Sequence, residues 1–200
     1  MSVGDRVQEA FSKMEVSDFE GALFAICAAI DATATTEFGK SGRSSYKQFI
    51  HQNLGLITEI GFGGLRMLNL NIQFDHPKIK KDAKGLCSIQ DILYHAVRCG
   101  LYHDAKLTDK VKFTDEHQTR VEKDRLILPS SLIYGFIIAV VVSPVNKSEN
   151  CSKAFMMNIG DLHIPLSKLW GQRDNLLWLL DAINEANRLQ QEAQSRKENI

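Results

Sequence analysis

Two hundred residues with 44% apolar side chains are enough for one domain with a continuous core. Lysine plus arginine equals aspartate plus glutamate at 24 each, so no global field draws a polyanion, and nucleic acid would need a local patch such as "HPKIKKDAK" at 76–84, which as composition reads as a solvated loop. The four cysteines, Cys27, Cys87, Cys99 and Cys151, lack paired metal-ligand spacing and are few for a disulfide scaffold, which points to a reducing cytosol and a cytoplasmic protein.

The amino terminus shows no basic, apolar, small-residue leader, and the longest apolar run, "LIYGFIIAVVV" at 132–142, is too short to span a bilayer and reads as a buried helix. Two helical patterns come first, "DRVQEAFSKM" and "DFEGALFAICAAIDATATTEF", with Ser17 or Asp18 able to cap the second. Phe19, Leu23, Ile26, Ile30 and Ala34 make its apolar stripe, and Asp31 beside it reads as a half-buried acid bonded to a neighbouring segment. "GKSGR" breaks the pattern without the spacer of a phosphate-binding P-loop. A third helix follows on Tyr46, Phe49, Ile50, Leu54 and Ile57, with His51 on its polar flank.

Residues 61–87, rich in glycine, asparagine and lysine and containing Pro77, read as a long irregular connection. The next helix starts at Ser88, with Asp91 three residues on in a capping-box arrangement, and buries Ile89, Ile92, Leu93, Ala96, Val97 and Leu101. "KVKFTDE" and "DRLILP" then look like two short strands joined by the charged "HQTRVEK", and "AFMMNIGDLHIPL" supplies a third. The last helix carries Leu176, Leu177, Leu180, Ile183 and Ala186. The expected architecture is a single mainly α domain over residues 1–200, a helical bundle with helices near 5–14, 17–38, 44–60, 88–103, 130–142 and 172–192. A small sheet or hairpin elaborates it within about 108–170, and the tail at 191–200 is polar enough to fray.

The chemistry-bearing stretch is "DILYHAVRCGLYHDAKL" at 91–107. Arg98 offers a permanently charged fork for phosphate oxygens, and His103, five residues on, can take or give a proton near neutral pH. On an unbroken helix five steps of about 100° place the two about 140° apart. Either Gly100 bends or ends the helix, or a symmetric dimer brings one chain's arginine to another chain's histidine. Tyr94 and Tyr102 could stack on bases or pack at a bundle edge, and His95 lies on the polar side of the helix with no assigned task.

"RCGLYH", preceded by the apolar "IQDILYHAV", resembles the R-x4-6-H motif of the HEPN superfamily, all-helical domains that include many ribonucleases. The resemblance implies an HEPN-like bundle and a homodimer whose paired motifs line a cleft. It further implies metal-independent cleavage of single-stranded RNA in toxin–antitoxin or phage-defence settings, with an antitoxin or other protein as a further partner. On it Arg98 and His103 are the catalytic pair, Tyr102, Asp104, His95 and Cys99 are binding residues, and no metal or cofactor is required. Cys99 departs from the strongly polar residue that active members often carry after the arginine, so a non-catalytic RNA-binding or scaffolding member is the alternative. A third reading takes "HD" at His103 and Asp104 with His51 and Asp161 or Asp181 as a metal-dependent phosphohydrolase of the HD type. Cys99 beside Arg98 reads as a packing group rather than a nucleophile.

Overall fold

The computed structural model describes residues 1–104, 107–116, 118–159 and 162–198; the side chains of His103, Asp104 and 196–198 lie outside the described part. Helix α1 (Val3–Glu15) opens on a capping box between Ser2 and Asp5. Helix α2 (Phe19–Phe38) is capped by Asp18, whose carboxylate accepts the Gly21 N–H, and closes on Gly39 in the left-handed region. Ser17, the other candidate cap, is itself in a left-handed turn between the two helices. By length and composition α2 could cross a membrane, yet Ala22, Leu23, Ile26, Ala29 and Ile30 are all buried in the protein core.

Helix α3 (Arg43–Gly61) lies against α2 and against the wholly apolar α6 (Ser131–Val142). The α3–α6 approach depends on two missing side chains: a Cβ on Gly135 would meet the Ile57 carbonyl oxygen at 2.3 Å, and one on Gly61 would meet Leu132 Cα at 2.8 Å. The core of this mainly α protein is therefore α2, α3 and α6, with α1 laid across it.

The connection after α3 is irregular, as its composition indicates, but carries a two-residue antiparallel pair, β1 (Asn71–Ile72) with β2 (Cys87–Ser88). Ile79 is the one residue of the lysine-rich 76–84 segment that is buried, pinning a loop whose lysines face solvent. The chain then enters α4 (Ile89–Ile92), a π-helical segment (Leu93–Arg98) and α5 (Cys99–Asp104).

Among the described residues five strands follow where two or three were expected. β3 (Val111–Thr114) and β5 (Arg125–Pro129) do not form a hairpin; they run parallel, because the charged connector itself supplies β4 (Arg120–Glu122), which turns back on β5. A parallel neighbour needs a crossover, and the connector provides one. β6 (Met156–Ile159) and β7 (Leu162–Pro165) form a separate antiparallel pair. Helix α7 (Arg173–Glu198) is longer than its apolar stripe, with Arg188 bonded to Glu185 and Glu192 one turn either side, so the helix runs through most of the tail expected to fray. Its first turn is tied to α2 by Arg173 on Glu37.

Candidate functional site

Ser88 caps the helix that carries the motif, its hydroxyl accepting the Asp91 N–H while donating to the Asp91 carboxylate at 2.8 Å. Asp91 also holds Arg43 and Lys47 of α3, and this pair of cations keeps its carboxyl ionised below the usual range although burial opposes the charge. The start of the segment is thus locked to α3. Ile89, Ile92, Leu93, Ala96, Val97 and Leu101 are all buried, as their spacing requires.

Between Leu93 and Arg98 the backbone widens to i→i+5 bonding, and the Cys99 N–H reaches Tyr94 O five residues back. Such π-segments insert a residue into a helix and recur at functional positions. Here it presents Arg98 to α2. Arg98 Nε and Nη2 donate to Asp31 Oδ2 at 3.0 and 2.9 Å, with both side chains about three-quarters covered. Asp31 is the half-buried, bonded acid its position on α2 suggests. The guanidinium carbon lies 5.4 Å over the Tyr94 ring and 4.7 Å over the Tyr102 ring, and Tyr102 stacks on Phe24 at 5.0 Å. Burial weakens the Arg98 charge, but the hydrogen bond and attraction of Asp31 more than offset this and raise its pKa. Phe24 and Tyr102 are partly exposed, so the ion pair sits behind an open aromatic face.

Deeper lies Cys27, whose Sγ is 3.3 Å from the Tyr46 hydroxyl; burial pushes the thiol up to about 12 and the phenol well above its ordinary value. Cys27 is therefore a packing group, with no thiolate to offer. Cys99 is partly buried beside Arg98.

Gly100 does not end the helix, since α5 runs through it to Asp104. Within one chain the Cα atoms of Arg98 and His103 therefore sit about 140° apart around the axis. The sequence places His103 and Asp104 in the candidate site, but their side chains lie outside the described residues. Among the described residues no group of three His, Cys, Asp or Glu is placed to hold a metal ion. Two candidate partners of an HD-type centre are engaged elsewhere, His51 Nδ1 lying 3.1 Å from Gln90 Nε2 and Asp181 binding Arg66, while Asp161 lies outside the described residues.

His95 corrects its expected placement on the polar side. The residue is half-buried and both ring nitrogens are covered with no hydrogen-bond partner among the described residues, while the 61–86 connection brings His76 beside it, ring centres 6.3 Å apart. Burial first, and then the nearby Arg43, His76 and Lys47, lower the His95 pKa below 6.5, against a smaller opposing pull from Asp91. The folded state thus holds fewer protons than the unfolded one, so this stability is full above about pH 6.5 and lost as pH falls through the lowered folded value. Chemical denaturation across pH 5–8 is expected to show this decline, and His95→Phe should flatten it; an unchanged slope would remove His95 as its source.

Sequence reasoning missed a second site. A cleft of about 750 Å³ opens between α1, α3, α6, α7 and the β6 strand. At its edge the buried Glu59 carboxylate accepts from Arg66 Nε at 2.6 Å and Asn184 Nδ2 at 2.7 Å. Its only signal in the chain is an acid placed among apolar residues in "GLITEIG".

No curated protein and no solved structure matches the chain. The chain belongs to the Rv1289 family, whose model matches residues 2–195.

Proposed function

We propose that the Arg98 face handles single-stranded RNA in the manner the HEPN resemblance implies. The observation that carries this reading is the Arg98 guanidinium held over the Tyr94 and Tyr102 rings, with Tyr102 stacked on Phe24, on a partly open surface. Aromatic faces beside a cation suit unpaired bases and their phosphates. In the reaction, His103 takes the ribose 2′-hydroxyl proton, the 2′-oxygen attacks phosphorus, Arg98 stabilises the phosphorane charge, and the P–O5′ bond breaks as the 5′-oxygen takes a proton from water. The helical separation of Arg98 and His103 favours a homodimer in which one copy's Arg98 works with the other copy's His103. Working in the cytoplasm, such a protein would meet its RNA there.

Asp31 supports a second reading. It takes one edge of the Arg98 fork and neutralises it, so a phosphate must share or displace that carboxylate, and a member that grips RNA without cutting is the alternative. Fluorescence anisotropy with short labelled RNAs tests the common part of both readings. Stacking on an aromatic side chain is worth ~1–3 kcal/mol per base, so Tyr102→Ala should weaken binding about fivefold or more. Wild type failing to bind any of a varied RNA set at low salt would end the proposal.

A further inference from the structure

The 750 Å³ cleft lies within the roughly 300–1,000 Å³ range of small-molecule sites. One wall is aromatic: Phe11 stacks on Phe155 at 4.7 Å and is tilted against Tyr134 at 5.8 Å. Met156 and Met157 add soft, adjustable surface on β6. The described lining residues include two carboxylates, Glu15 and Glu59, and neither lysine nor arginine. Glu59 is buried and already satisfied by Arg66 and Asn184. Glu15 is half-exposed at the rim, and its partner shows what the rim holds. The Lys153 ammonium, from just outside the cleft, lies 2.8 Å from Glu15 Oε2 and 5.3 Å over the Phe155 ring. A positive charge is thus bound at the cleft edge by one carboxylate and one aromatic face, and the holder is a flexible surface side chain.

We propose that the cleft binds a small amphipathic cation, an aryl or alkyl ammonium. Its apolar body lies on the Phe11, Tyr134 and Phe155 wall, and its charge takes the place of Lys153 Nζ between Glu15 and the Phe155 ring. Burying the body removes apolar area from water, and the exchange of one ammonium for another keeps Glu15 paired. A carboxylate ligand would bring a third negative charge to the two already lining the cleft.

Isothermal titration of the full chain with protonated 4-phenylbutylamine, and with the matched 5-phenylpentanoate and 4-phenylbutanol, tests this. The amine should give saturable single-site heat, with the carboxylate weaker by about tenfold or more. Lys153→Ala removes the competing cation and should tighten the amine about two- to fivefold, while Glu15→Gln should loosen it by a similar factor. Both positions are half-exposed, and unchanged melting curves will show that the variants fold. Absent heat with the amine, equal or tighter binding of the alcohol or the carboxylate, or amine affinity that neither variant moves would overturn the proposal.

Discussion

Gly135→Ala is expected to cost about 3 kcal/mol of folding stability, lowering the melting temperature of this 200-residue chain by about 6–12 °C. The added methyl would stand 2.3 Å from the Ile57 carbonyl oxygen, and the obstacle is backbone rather than a side-chain tip. Relief requires α6 to move from α3, and those two helices bury Phe49, Ile50, Leu54, Ile57, Ile133 and Ile137 between and around them. Gly55→Ala on α3 is the contrast. The nearest atoms to its methyl are in the Arg66 and Leu68 side chains at 3.3 Å, which can yield, so the gain in helix propensity should leave it neutral or up to about 1 kcal/mol more stable. Urea titration of both variants checks the pair; a Gly135→Ala protein as stable as wild type would mean that the α3–α6 contact is looser than described.

If the proposed mechanism holds, Arg98→Ala and His103→Ala should each cut RNA cleavage by about a hundredfold or more, since in it each removes a group that acts on the reacting phosphodiester. Mixed together by co-expression they should recover about a quarter of wild-type activity, because half the dimers are mixed and each mixed two-fold dimer keeps one intact site. The reason lies in α5, which runs unbroken through Gly100 and leaves the two positions on different sides of the helix. If the pair worked within one chain, the mixture would stay as inactive as its parents. Arg98→Ala carries a second effect, since it leaves Asp31 without its partner in a half-buried setting, so melting curves must accompany the assay.

Much of the architecture was legible because helices announce themselves through apolar period and caps. The stripes of α2 and α3, the Ser88 cap and the buried α6 all follow from spacing and composition. The π-segment was not legible, since Ile89, Ile92, Leu93, Ala96 and Val97 suit an ordinary α-helix equally well and a single widened turn has no side-chain signature. His95, expected on the polar side, is half-buried there with both ring nitrogens covered. The parallel β3–β5 pair was missed for a different reason. Its intervening strand, "RVE", is too short and charged to register as a strand, and without it two adjacent strands default to a hairpin. At the site, Asp31 was readable as a bonded acid, but only the fold joins it to Arg98, 67 positions away. The cleft at Glu59 depends on side chains from α1, α3, α6, α7 and β6, a convergence that no local pattern reports.

The proposed RNA chemistry faces its most direct measurement in a cleavage assay with excess EDTA, wild-type protein and matched labelled RNA and DNA strands. The mechanism predicts that RNA is cut to 2′,3′-cyclic phosphate ends while the DNA, which lacks the 2′-hydroxyl nucleophile, survives. Intact RNA across varied sequences, or equal cutting of the DNA, would contradict it.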